Sequence, residues 1–324
     1  PASPEGMPFG GPGGPAHRSL LSRFFFNPRE LRAAWRLLIF LAIAAGCAAL
    51  LSLPVHFLLS SSRAGVSLSR FSPQFLLAGE GSWLVAILIS ARFMAALEKR
   101  SFRDYALPWR SLFGARFWRG VLWGAIAISG LLLLIRLFHG FTFGGLATGG
   151  RRALVAGAFW ALGFLVTGFF EEFLFRGYAL STLTTGMGFW PAAVVLSLAF
   201  GAVHLGNPGE NWRGGVAAVL IGLFFCFTVR RTGVLWFAIG FHAMWDFCES
   251  FIYSVPDSGI LTPNHLLNSA FHGSKWLTGG SVGPEGSVFV FLVIAILFIV
   301  FHLIYRQAVF PMRSRTLAGS AQTS

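Results

Sequence analysis

Charge is scarce in this sequence. Charged residues make up 11% of 324 positions and hydrophobic ones 55%, whereas a soluble domain carries about a quarter charged. That shortage excludes an ordinary soluble domain and puts the chain in the membrane class. Cysteine is scarce too. The three present, Cys47, Cys226 and Cys248, lie in apolar stretches, which excludes a disulfide framework and a CxxC metal pair. No H-E-x-x-H occurs, so the arrangement of the soluble zincins is absent. Residues 1–17, "PASPEGMPFGGPGGPAH", hold no apolar h-region and are rich in Pro and Gly. Disorder and no cleavable signal peptide are expected there. The net charge is +13, yet the basic residues are not gathered on one face of a soluble module. They punctuate apolar segments as membrane-flanking residues do, which argues against nucleic acid as a partner.

What is present is a series of apolar segments near or above the ~20 residues a spanning helix needs. They cover 35–54, 75–97, 117–138, 153–176, 189–205, 214–229, 233–252 and 287–305. An all-α polytopic membrane protein with about eight transmembrane helices is expected. Before the first of them, "RFFFNPRELRAAWR" reads as a basic amphipathic segment on the cytoplasmic surface. With the N-terminus inside, 17 of the 25 Lys and Arg fall on inner segments and 7 on outer ones. This bias puts both termini in the cytoplasm. The organisation follows: a tail and interfacial segment (1–34), motif-free helices (35–150), helices bearing the intramembrane polar groups (151–252), an outer loop (253–286), and a last helix with a basic tail (287–324).

Two small motifs are weak. "GVLWG" opens the third segment as a GxxxG, which lets two helices approach closely. Gly279 to Gly283 fits G-x-S-x-G, but a Gly-rich loop lacks the strand-to-helix elbow a serine nucleophile needs.

Ionisable residues inside apolar segments carry more. Glu171, Glu172, Asp246 and Glu249 fall within spans, Glu80 lies near an outer end, and His204 and His242 sit within spans or at their edges. Such groups are costly in lipid and are functional candidates. In "GFFEEFLFRG", Glu172 and Arg176 are i,i+4 and share a helix face, so they can pair. Glu171 is turned by about 100° and stays free for chemistry. "IGFHAMWDF" puts His242 and Asp246 at i,i+4, a spacing that suits two groups converging on one water or one metal. "LSLAFGAVHLGN" places His204 four residues after Phe200. Each has a bland reading beside it: a Glu–Arg pair tying helices, a histidine finishing a helix, an Asp–His bond packing one. Together, three spans each needing a polar partner are most simply satisfied by one shared cavity. At ~1.5 Å per residue, Glu171 stands ~8 Å above Arg176, His242 ~14 Å above Gly233 and His204 ~20 Å above Pro191. Levelling them takes tilt, or a fifth helix that starts deeper.

These residues resemble a known set. Glu171-Glu172-x-x-x-Arg176, Phe200-x-x-x-His204 and His242-x-x-x-Asp246 look like the three ordered motifs of the CPBP family. That family holds the type II CAAX prenyl endopeptidases and the bacterial Abi group of bacteriocin-processing and immunity proteins. The motifs cover about a third of the chain, and the last position is more often Asn than Asp. The resemblance implies an intramembrane endopeptidase with its cavity open to the cytoplasm. Glu171 would be the general base, His204 would help hold the water, and His242 and Asp246 would polarise the scissile carbonyl. Glu172 and Arg176 would fix the face of Glu171. It also leaves two chemistries open. In one, Glu171, His204, His242 and Asp246 ligate a divalent ion such as zinc; the other is a metal-free glutamate protease. The partners implied are the lipid bilayer and a membrane-bound peptide or protein substrate. In a bacterium the location would be the plasma (inner) membrane. A non-catalytic scaffold or immunity protein of the same fold is the alternative. A transporter is a third class, though the related halves and discontinuous helices it favours are not evident in the sequence.

Overall fold

The computed structural model describes residues 31–61 and 72–311. The expected tail and most of the basic amphipathic segment lie outside the described residues. The described part is helical: α1 Ala33–Ser61, α2 Pro73–Glu98, α3 Ala115–Leu137, α4 Gly150–Glu172, α5 Leu180–Met187, α6 Phe189–His204, α7 Trp212–Thr232, α8 Trp236–Asp246, α9 Lys275–Thr278 and α10 Val288–Ile304. A two-residue antiparallel pair joins β1 (Phe141–Thr142) to β2 (Ala270–Phe271), with Phe141 opposite Phe271. It ties the loop after α3 to the long loop between α8 and α10.

Five stretches are long and apolar enough to cross a membrane: Ala33–Pro54, Leu76–Glu98, Ala115–Leu137, Gly150–Met187 and Trp212–Thr232. Two of the other three expected segments coincide with shorter apolar helices, α6 and α10, and the third holds α8 with its π-helical extension. Polarity is arranged inside out. Leu50, Leu137 and Leu154 are 70%, 71% and 76% exposed, while Glu172, Arg176 and Glu249 are fully buried. Lipid accepts the leucines; the charged groups need protein partners.

The fourth segment runs further than its sequence suggests. It does not stop at Arg176 but continues through a π-helical segment, Phe173–Ala179, into α5 and ends at Met187. Arg176 reads as a boundary charge because basic residues flank spans. It is in fact buried against Glu172, so it marks no interface. A second π segment, Phe247–Ile252, follows Asp246. Single π turns inside α-helices mark functional sites often, and both of these begin directly after the acids of interest.

α2 packs between α1 and α4, α4 packs on α8, α8 on α3, α6 on α7, and α10 on α3 and α7. The α3–α8 crossing is built on glycine. A Cβ at Gly120 would stand 2.1 Å from the Phe237 carbonyl oxygen, and one at Gly124 2.3 Å from that of Phe241. The weak GxxxG thus lets α3 lie against the helix that carries His242 and Asp246. Around that crossing, Phe224, Phe225, Phe237, Phe241 and Phe301 form an aromatic core. At the Met187 end, Arg36 donates to Glu98 Oε2 (3.4 Å) and Thr185 Oγ1 (2.5 Å), and Tyr178 donates to Glu98 Oε1 (2.6 Å). These bonds tie α1, α2 and the fourth rod together.

Candidate active site

The two adjacent glutamates part company as their 100° offset requires. Glu172 turns into the protein, where Arg176 Nη1 donates to its Oε1 at 3.1 Å, with both side chains fully buried. The guanidinium also lies 4.1 Å from the ring centroid of Phe200, a cation–π contact in a dry setting. Gly222 makes room for it, since a Cβ there would stand 2.5 Å from Arg176 Nη2. Glu171 turns to the cavity wall, and its side chain is 21% exposed.

His242 joins the pair. Its Nδ1 donates to the same Glu172 Oε1 at 3.0 Å, across 70 residues of sequence. With Nδ1–H committed, Nε2 is the atom that faces the cavity. Nε2 stands 3.8 Å from Glu171 Oε2 and 3.5 Å from Asp246 Oδ2. The imidazole is stacked on Phe225 at 5.7 Å and meets Phe200 edge-on. His204 is the last residue of α6. Its ring lies 4.3 Å from Phe200, and its Nδ1 bonds to the Phe200 carbonyl at 2.9 Å. That bond leaves Nε2 for the cavity.

A cavity of about 180 Å³ is lined by Glu171, His204, His242 and Asp246 together. Glu172 and Arg176 stand behind its wall. The long fourth rod explains the levelling. Glu171 is 16 residues from the Met187 end, ~24 Å along a helix, rather than the ~8 Å implied by a span ending at Arg176.

The cavity recruits residues that the motif reading did not join to the site. Glu80 of α2 lines it, as do Asn207, Asp257, Ser258 and Glu285 from loops. Glu80 had a visible signal, an acid in an apolar segment. Asp257 and Glu285 had none, because a loop acid is ordinarily solvated and only the folding back of 253–286 buries it. Burial pushes the Asp257 carboxyl well above the usual carboxylate range, and Asp246 and Glu285 add to the shift. Glu210, on the loop before α7, is raised by burial as well. The serine of the G-x-S-x-G match, Ser281, donates to the Gly209 carbonyl at 2.8 Å and staples two loops.

His204 and Asp246 end their helices, so the cavity occupies the half of the bundle that finishes in the 253–286 loop. Arg230, Arg231 and Arg306 mark the other end.

Among the described residues, the acids whose ligand atoms all lie within 4.8 Å of one another are Glu249, Asp257 and Glu285. That trio could hold a divalent ion, and it is a different set from Glu171, His204, His242 and Asp246.

Comparison with known proteins adds one match. Residues 153–248 fit the family model described as Type II CAAX prenyl endopeptidase Rce1-like. No curated protein matches the chain. The matched stretch begins in α4 and ends just past Asp246, so it contains all three motifs. Residues 153–248 are thus similar to an Rce1-like domain, set within a membrane-embedded helical protein.

Proposed function

We propose that the protein cleaves a peptide bond of a membrane-associated substrate with a water activated by Glu171. The observation that carries this reading is the division of the two glutamates. Glu172 is neutralised by Arg176 and bonded to His242, while Glu171 faces the cavity beside His242 Nε2. Glu171 takes a proton from the water held between it and His204. The hydroxide attacks the scissile carbonyl carbon, and the carbonyl oxygen, gaining charge, accepts a hydrogen bond from Nε2–H of a doubly protonated His242, an imidazolium that Glu171, Glu172 and Asp246 surround. Asp246, one turn on from His242, holds that nitrogen in place. Collapse of the tetrahedral adduct breaks the C–N bond, and the proton on Glu171 passes to the departing amine. A divalent ion held by Glu171, His204, His242 and Asp246 would polarise the same carbonyl and water. Purified protein reconstituted with a quenched membrane peptide tests the reading. Cleavage is expected, and a complete absence of turnover against a panel of membrane-anchored peptides would return the chain to the scaffold reading. Chelator sensitivity separates the two chemistries.

Eight spans with both termini cytoplasmic are part of this proposal, supported by the Lys and Arg bias and by the eight apolar segments of the sequence. In a bacterial cell the membrane is the plasma (inner) membrane. Substrate then reaches Glu171 from the outer half of the bilayer, which suits anchored peptides or leader segments exposed on that side. Reporters fused after Arg100 and Arg231 are expected to read cytoplasmic, and one at Lys275 external. A cytoplasmic signal at Lys275 would invert the orientation and turn the cavity toward the cytoplasm.

A further inference from the structure

At the rim of the cavity the structure brings three carboxylates together, with Glu249 fully buried and Asp257 and Glu285 half-buried. Glu249 lies three residues past Asp246, in the π segment that extends α8. It is fully buried, and no donor closes a hydrogen bond on either of its carboxylate oxygens. The Trp245 indole lends it a favourable dipole but does not complete a bond. Asp257 Oδ2 accepts from Ser250 Oγ at 3.0 Å. Glu285 Oε2 accepts from the Ser258 N–H at 3.2 Å and from Ser258 Oγ at 2.8 Å. One oxygen from each acid lies within 4.8 Å of the other two. Among the described residues, no Lys or Arg forms a salt bridge with any of them. Isolated buried carboxylates are too costly to remain unanswered.

We propose that Glu249, Asp257 and Glu285 bind one hard divalent cation, calcium by preference, which clamps the 253–286 loop onto the end of α8 above the catalytic cavity. The donor set decides the class of ion. Three carboxylates with no thiolate or imidazole suit an oxygen-loving cation and do not select zinc or copper. Size favours calcium. At ~2.3–2.6 Å per bond, ligands on opposite sides of Ca²⁺ stand up to about 5 Å apart, while Mg²⁺ at ~2.0–2.1 Å draws them closer. The chain positions decide the role. Glu249 ends a helix, Asp257 opens the loop and Glu285 closes it just before α10, so one ion joins both ends of the loop to α8. Asp257 and Glu285 also line the cavity, which makes the clamp its outer lid. This site is separate from the proposed hydrolytic chemistry and stands whether or not that chemistry does.

The test uses the full chain in detergent, stripped with chelator and then titrated with Ca²⁺, Mg²⁺ or Mn²⁺, with melting as the readout. Calcium at about a hundredfold over its Kd is expected to raise the melting temperature by about 5 °C. Glu249→Gln and Glu285→Gln are expected to abolish the rise. A terbium titration of the wild-type protein gives an independent readout, because Trp245 lies beside Glu249 and can sensitise bound terbium. Calcium is expected to quench that emission by competition. The proposal is overturned if none of the three ions shifts melting and terbium gives no calcium-competed emission. It is equally overturned if Glu249→Gln keeps the full calcium response, or if that variant melts higher while the wild type ignores every ion, since the trio is then held by protons. If a variant fails to fold, the wild-type melting and terbium titrations decide alone.

Discussion

Glu171→Gln is expected to lower peptide cleavage by about 10²-fold or more, while the folded protein still accumulates and melts near the wild-type temperature. The substitution keeps size and polarity and removes only the base. Stability is spared because Glu171 is partly exposed to the cavity and has no Lys or Arg partner among the described residues. His242 Nε2 is 3.8 Å away and is also faced by Asp246 at 3.5 Å. Cleavage and melting must be measured on the same preparation. A stable, fully active Glu171→Gln variant would sink the catalytic assignment.

Glu172→Gln is expected to do the opposite first. It leaves Arg176 buried and uncompensated, at a cost on the order of 3 kcal/mol for a fully buried pair. Among the described residues, Arg176 Nε and Nη2 lack hydrogen-bond partners, and Glu172 is the one acid that Arg176 meets in a salt bridge. Arg176→Gln strands the glutamate instead and should destabilise by a similar amount. The double change, Glu172→Gln with Arg176→Gln, is expected to recover part of the loss, because neither charge is then left alone. Activity distinguishes the two single changes. Glu172 Oε1 also accepts from His242 Nδ1 at 3.0 Å, so Glu172→Gln weakens the bond that orients the histidine. Arg176→Gln leaves that bond its carboxylate. Cleavage per folded molecule should therefore fall further in Glu172→Gln. Thermal melts of all three variants that overlay on wild type would show that the pair contributes nothing to stability.

Local features were legible in the sequence because they rest on local physics. Membrane class follows from composition, and the apolar segments fall where helices form, because in lipid the backbone must satisfy itself within each segment. The Glu172–Arg176 pair follows from the i,i+4 rule, and the separation of Glu171 from Glu172 follows from the helical twist. Three ordered motifs were enough to point to the family whose model matches residues 153–248.

Tertiary structure decided the rest, because each remaining feature joins residues far apart in the chain. That Glu171, His204, His242 and Asp246 line one cavity depends on how α4, α6 and α8 are tilted and on where their ends lie. Arg176 reads as an interfacial charge until Glu172, Phe200 and Gly222 are seen to enclose it. His242 Nδ1 reaches back 70 residues to the glutamate that Arg176 neutralises. Asp257 and Glu285 look like solvated loop acids, and only the return of that loop over α8 brings them, half-buried, beside Glu249. Hydropathy and helical period report what a residue's near neighbours in the chain require; the partner of a buried charge is settled by which helices come to lie against it.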